Sequence, residues 1–243
     1  MLSIMQSEWY KLRKSKISAI ILAGPLIGLF IGLSFEFPNM DASDFNWYMT
    51  LMMMNLTYCL LFLPLMTGVL AGLICRYEHQ AGGWKQLLAL PVKRSEVFLS
   101  KYAVLLGITF LIQILYLCAV YTVGMLKGYT DPFPLDIIWK SILGGWIATF
   151  PLIAFQLWMS MVWNHFSIPF AINVIFTLPT IMVVNSERFG VFYPWAQPFL
   201  MMYVGGDTDD IFYVPWDQVL TVVGGSFILF FLGGLWYFKR KAI

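Results

Sequence analysis

Apolar positions along the chain gather into six long runs without Asp, Glu, Lys or Arg, at roughly residues 17–35, 50–75, 102–126, 141–163, 167–185 and 218–238. About 20 such residues cross a bilayer as a helix, so the pattern predicts six transmembrane helices. Six is even, which puts both termini on one side of the membrane. Ahead of the first run, Leu2, Met5, Trp9 and Leu12 fall near one helical face, with Glu8, Lys11 and Lys14 elsewhere around the cylinder. That period predicts a short helix over residues 1–15 lying in the membrane interface. The first run is too long for the apolar core of a signal peptide and no small-residue cleavage pattern follows it, so the N-terminus is expected to stay attached.

Composition agrees with the pattern. Of 243 residues, 60% are hydrophobic and 12% charged, against a charged share of roughly 25% in soluble domains. The formal charge of +2 is too small for a nucleic-acid partner. It also conceals a division. On the side expected to face the cytoplasm stand 12 of the 15 basic residues, and on the other side 10 of the 13 acidic ones. The two faces therefore carry +9 and −7, in accord with the positive-inside rule. The outer acids (Glu36, Asp41, Asp44, Asp131, Asp136, Glu187, Asp207, Asp209, Asp210 and Asp217) either solvate loops or attract cationic molecules.

Within the runs, Gly24, Gly28 and Gly32 recur every fourth residue, as do Gly68 and Gly72. Small residues at this interval permit close helix packing, within the chain or between chains. Pro25, Pro64, Pro151, Pro169 and Pro179 are expected to bend several runs. Neutral polar side chains remain in the apolar runs, among them Asn55, Gln113, Gln156 and Asn173. Each needs a partner in hydrocarbon, either another helix or a water-accessible substrate path.

Much chemistry is excluded. The runs lack the carboxylates or His on which ion-coupled carriers and aspartyl proteases depend. Glu78-His79 is followed by Gln80 and Ala81, with no His-Glu-x-x-His. Gly224-Gly225-Ser226-Phe227 misses the final glycine of a nucleophile elbow. Cys59, Cys75 and Cys118 lie in or beside runs with no metal or disulfide spacing.

The longest segment on the basic side, residues 76–101, is not built as a linker. Gly82-Gly83 breaks it, Trp84 to Leu90 forms a short apolar helix stopped by Pro91, and Ser95 caps the helix entering the third run. Trp84, Leu87 and Leu88 would share a face, either docking a partner or lying in the lipid interface.

The opening Gln6-Ser7-Glu8-Trp9-Tyr10-Lys11-Leu12-Arg13-Lys14-Ser15, the run Cys75 to Pro91, Phe176-Thr177-Leu178-Pro179 and Tyr193-Pro194-Trp195-Ala196-Gln197-Pro198 resemble the permease subunits of type-2 ABC exporters. The closest resemblance is to the lantibiotic-immunity and bacitracin-resistance branch, and it covers essentially the whole chain. It implies an all-α membrane protein of the type V exporter-like permease fold: six transmembrane helices, an N-terminal interfacial helix and a cytoplasmic coupling helix. It also implies a bacterial cell membrane location, with both termini cytoplasmic. The coupling helix would span Glu78 to Leu90, with Glu78, Gly83, Trp84, Lys85, Leu87 and Leu88 as the residues that meet the ATPase. Residues 186–217 would form an outer re-entrant or gate element.

The implied partners are an ABC ATPase dimer carrying ATP and Mg, a second permease (identical or related), membrane lipid, and a cationic amphipathic peptide as substrate. This chain itself would hold no cofactor or metal and catalyse nothing, and it carries no Gly-x-x-x-x-Gly-Lys-Ser/Thr. Export of a lipid or a self-made peptide, or a six-span sensory or scaffold role, are the alternatives.

Overall fold

The computed structural model describes residues 2–14, 17–35, 46–80, 82–89, 91–130, 132–186, 188–203 and 216–241. Most of the expected outer acidic set lies outside the described residues (Glu36, Asp41, Asp44, Asp131, Glu187, Asp207, Asp209 and Asp210), as do Phe212 and Tyr213 of the expected gate. The elements are α1 (Leu2–Lys14), α2 (Ile17–Ser34), α3 (Asn46–Thr57), a π-helical turn (Tyr58–Phe62), α4 (Leu63–His79), α5 (Gly83–Ala89), α6 (Arg94–Lys127), α7 (Leu135–Val162), α8 (Ser167–Thr177), α9 (Thr180–Val183), α10 (Gln197–Met202) and α11 (Trp216–Arg240). No strand occurs among the described residues.

Among the described residues, five helices are long and apolar enough to cross a membrane: Ile17–Ser34, Asn46–His79, Arg94–Lys127, Leu135–Val162 and Asp217–Arg240. The expected run at 167–185 instead forms the shorter apolar segment Ser167–Val183, divided into α8 and α9 at Leu178-Pro179. Pro179 has no N–H to continue the helix, although Leu178 before it keeps helical backbone angles. Pro64 has a different effect. It follows the π-helical turn, where the Leu63 N–H reaches back to the Tyr58 carbonyl, so the widened turn absorbs the missing proline donor. α6 ends at Gly128, whose φ of +71° lets the Tyr129 N–H return to the Gly124 carbonyl at 3.0 Å.

α7 is the central helix, packed against α11, α4, α10 and α6, while α2 leans on α6. The glycine stripe of α2 faces inward, toward the chain's own side chains. A Cβ at Gly24 would meet Met66 at 3.0 Å, one at Gly28 would meet Tyr116 at 2.8 Å, and one at Gly32 would meet Met54 and Val123. Gly68 and Gly72 similarly admit Asn173 and Phe166 of the α8 region. The outward faces are large and apolar, with Leu26 and Phe30 on α2 and Ile228, Leu229, Leu232 and Trp236 on α11 all exposed. Such a perimeter suits hydrocarbon rather than water.

Replacing Gly28 by Leu drives a branched side chain into the Tyr116 ring, and an overpacked core of this kind costs about 1–3 kcal/mol. Gly225, with nothing within 4 Å of its Cβ position, should accept Ala without loss. Thermal unfolding of the purified variants in detergent checks this: a lowered Tm for Gly28→Leu and an unchanged one for Gly225→Ala.

Candidate functional site at the basic end of the bundle

Both described chain ends meet at one end of the bundle. Here α1 docks on the start of α6 and the end of α4, and the Arg94 guanidinium donates to the carbonyls of Phe238 (3.4 Å), Lys239 (3.2 Å) and Lys241 (2.5 Å), closing the C-terminus of α11. The Lys241 ammonium donates to the Met161 carbonyl at 2.5 Å, and burial there lowers its pKa. Lys11, Arg13, Arg76, Lys85, Lys93, Arg94, Lys101, Lys239, Arg240 and Lys241 all belong to this end.

Four of the charges here form a ring. Lys101 is fully buried, and its ammonium spends its three N–H bonds on Glu8 Oε2 (2.6 Å), Glu78 Oε1 (3.0 Å) and the Ile74 carbonyl (2.9 Å). Lys11 closes the ring, 2.9 Å from Glu8 Oε1 and 2.8 Å from Glu78 Oε1. Two carboxylates and two ammonium groups make it neutral. Glu8 and Glu78 are also buried, so each charge is retained only because its partners are in place. The ring sets the side on which α1 packs: Ile4, Glu8 and Leu12 turn inward, while Leu2 and Trp9 of the expected apolar face stay exposed.

The expected segment 76–101 contains α5, and Gly82-Gly83 makes the turn into it. Gly82 has φ +72°. At Gly83 a Cβ would meet the backbone of Tyr77 and Glu78 at 2.8 Å, so the second glycine allows a backbone contact that no side chain would. Trp84 then turns inward, contrary to the expected outward apolar face. Its indole N–H donates to His79 Nδ1 at 3.2 Å, its ring packs 5.3 Å from Phe238, and Lys101 lies 5.8 Å from its centroid. With Nδ1 accepting, His79 holds its proton on Nε2 and donates it to the Ser160 carbonyl at 2.7 Å. Lys85, Gln86 and Ala89 are exposed and Leu87 is half-buried. The Leu88 side chain lies outside the described residues.

The four candidate path residues are all buried but have different partners. Asn55 donates to Ser141 Oγ (3.1 Å) and the Met202 carbonyl (2.8 Å) and accepts from the Tyr116 hydroxyl (2.8 Å). Gln113 accepts from the Tyr58 hydroxyl at 3.1 Å, and the Tyr58 and Tyr116 rings stack 3.8 Å apart. Asn173 donates to the Pro64 carbonyl and accepts from the Trp195 indole, both at 2.9 Å. Gln156 differs: neither amide atom has a hydrogen-bond partner among the described residues, and the same holds for Gln197 on α10. Within the expected gate segment, Phe189 and Phe192 are exposed while all of α10 is buried, so residues 197–202 return into the bundle.

The molecule is thus a multi-pass helical membrane protein. Residues 4–180 match the family described as ABC-2 family transporter protein, so the chain belongs to that family and is a membrane transport subunit. No curated protein matches it.

In the sequence Glu8 stands only as a polar position of the first helix, and Lys101 only as a basic residue ahead of the third run. The available signal was scarcity: the basic side holds three acids, Glu8, Glu78 and Glu96, and two of them are buried in the ring. Lys101→Met leaves both carboxylates to the half-buried Lys11 and should cost about 3–5 kcal/mol. Lys11→Met should cost distinctly less, since that side chain remains 30% exposed. Adding Glu8→Gln to Lys101→Met should recover part of the loss, as read by detergent unfolding midpoints in a double-mutant cycle.

Proposed function

We propose that this chain is the permease subunit of an ATP-driven exporter that expels a cationic amphipathic antimicrobial peptide, lantibiotic or bacitracin-like, from the outer region of the membrane. On this reading the basic end faces the cytoplasm, as the positive-inside rule favours. The α8–α9 segment completes six crossings, and α5 is the coupling helix seated on a separate ATPase that carries ATP and Mg. A second permease completes the transporter.

The observation that carries the reading, beside family membership, is the bracing of α5. One short helix presents Lys85 and Gln86 outward, while Trp84 ties it to His79, and through His79 to α7, and rests on Phe238 of α11. A push on α5 therefore reaches α4 and α11 directly, and α7 through His79. Glu78, Gly83 and Trp84 would transmit the force from within the chain, while Lys85 and Leu87 would make contact. For the substrate, the neutral, aromatic-rich interior suits a peptide that partitions into the interface. Gln156, the path candidate whose amide has no partner among the described residues, is the strongest of the four to meet it.

Lys85→Glu reverses a charge at the proposed contact without touching the buried ring. Purified with its ATPase, the variant should show substrate-stimulated ATP hydrolysis reduced about tenfold, with an unchanged Tm. Cells lacking this chain and its ATPase should become more susceptible to lantibiotics and bacitracin. Unchanged susceptibility would remove the defence role, and the absence of any co-purifying ATPase would remove the coupling assignment.

A further inference from the structure

A pocket of about 340 Å³ opens at the basic end between the last turn of α4, the end of α7 and the first turn of α8. This is within the range of small-molecule sites, roughly 300–1,000 Å³. Its formal charge comes from Arg76, which has no acidic partner among the described residues, and no carboxylate lines the pocket. Around Arg76 stand polar groups able to donate: the Asn164 and Gln80 amides and the His165 imidazole. Ser160 also lines the pocket. It is 2% exposed, and its hydroxyl has no partner among the described residues, so a hydrogen-bonding capacity is buried there and unspent. The start of α8 forms one wall.

The α8 wall is apolar: Phe166 and Pro169 line it, and Gly72 makes room for the Phe166 ring. Trp163, 42% exposed, stands at the mouth, where an amphipathic ring suits the level of lipid headgroups.

We propose that this pocket binds a phosphate group, held by Arg76, Ser160 and His165, with the apolar wall taking the less polar part of the molecule that carries it. Basic pockets between helices at a membrane face recognise the headgroups of anionic phospholipids. Soluble phosphate shares the recognising chemistry without using the apolar wall.

The test uses the full-length chain, with any subunits that co-purify, in phosphatidylcholine nanodiscs with and without one-fifth phosphatidylglycerol. Retained phosphatidylglycerol is counted by native mass spectrometry, and inorganic phosphate is titrated in a separate arm. Wild type should retain phosphatidylglycerol, Arg76→Gln should lower retention about tenfold, Ser160→Ala should lower it several-fold, and Arg76→Lys should keep part. Arg76 is exposed, so its variants should keep the wild-type Tm. Lys140→Gln should change nothing, since Lys140 lies about 30 Å from Ser160 along α7. Competition by inorganic phosphate with the same Arg76 dependence would identify soluble phosphate as the source. Retention unaffected by Arg76→Gln, with no Arg76-dependent phosphate binding, would overturn the site. So would loss of ATPase co-purification in Arg76→Gln with lipid and phosphate binding intact, which would make the pocket a protein contact.

Discussion

The buried ammonium of Lys101 sets the terms for one whole end of this molecule. A lysine fully removed from water is tolerable only with its charge neutralised and its donors spent. The three acceptors it uses come from three places: Glu8 on α1, Glu78 on the last turn of α4, and the Ile74 carbonyl one turn earlier. No two of α1, α4 and α6 can slide or rotate past one another without stranding a charge. The ring thus acts as a register device, satisfied in one arrangement and costly in neighbouring ones. It explains why α6 starts at Arg94, ahead of its apolar run, and why α1 presents Glu8 inward, leaving Trp9 outside.

Nearer the middle of the bundle the same accounting is made with neutral groups. The Met202 carbonyl closes α10, where the last carbonyls of a helix lack internal partners, and there it accepts from both Asn55 and Ser141. Asn55 also takes the Tyr116 hydroxyl, so one amide ties α3, α6, α7 and α10. Small residues allow this closeness: at Gly144 a Cβ would meet the Met201 carbonyl at 2.6 Å, and at Gly145 it would overlap Met202. A helix of six residues is stable here through its burial, with no strong intrinsic propensity required.

Periodicity and charge made the long helices legible, because a bilayer demands the same apolar length whatever the tertiary packing. Their ends were less so: α4 runs on to His79, past the expected limit, since its last, charged turn is stabilised by partners that hydropathy does not see. The run at 167–185 reads as uniformly apolar, yet Pro179 divides it, and a hydropathy average gives one missing N–H no weight. Trp84 misled for a related reason. Its spacing with Leu87 identifies a face, but the side of the chain that face meets depends on His79 and Phe238, the latter more than 150 residues away. Of the path candidates, sequence could name the amides but not distinguish Asn55, Gln113 and Asn173, whose bonds are made within the chain, from Gln156, whose amide has no partner among the described residues.

The two knots are joined by a single stretch of chain. Asn55 and Glu78 belong to the same long span, and between them stand the π-helical turn at Tyr58–Phe62 and Pro64. A π-turn spaces its hydrogen bonds more widely than an α-helix, and a proline removes one, so this is the place on the span where the two halves are least firmly coupled. The charge ring resists rotation below it and the Asn55 cluster resists it above, since each is satisfied by several helices at once. Movement entering through α5 on the exporter reading would therefore carry α1, α4 and the start of α6 together. It would be taken up at the π-turn before reaching the layer that holds α10, whose partner helix α7 carries Gln156, an amide with no partner among the described residues.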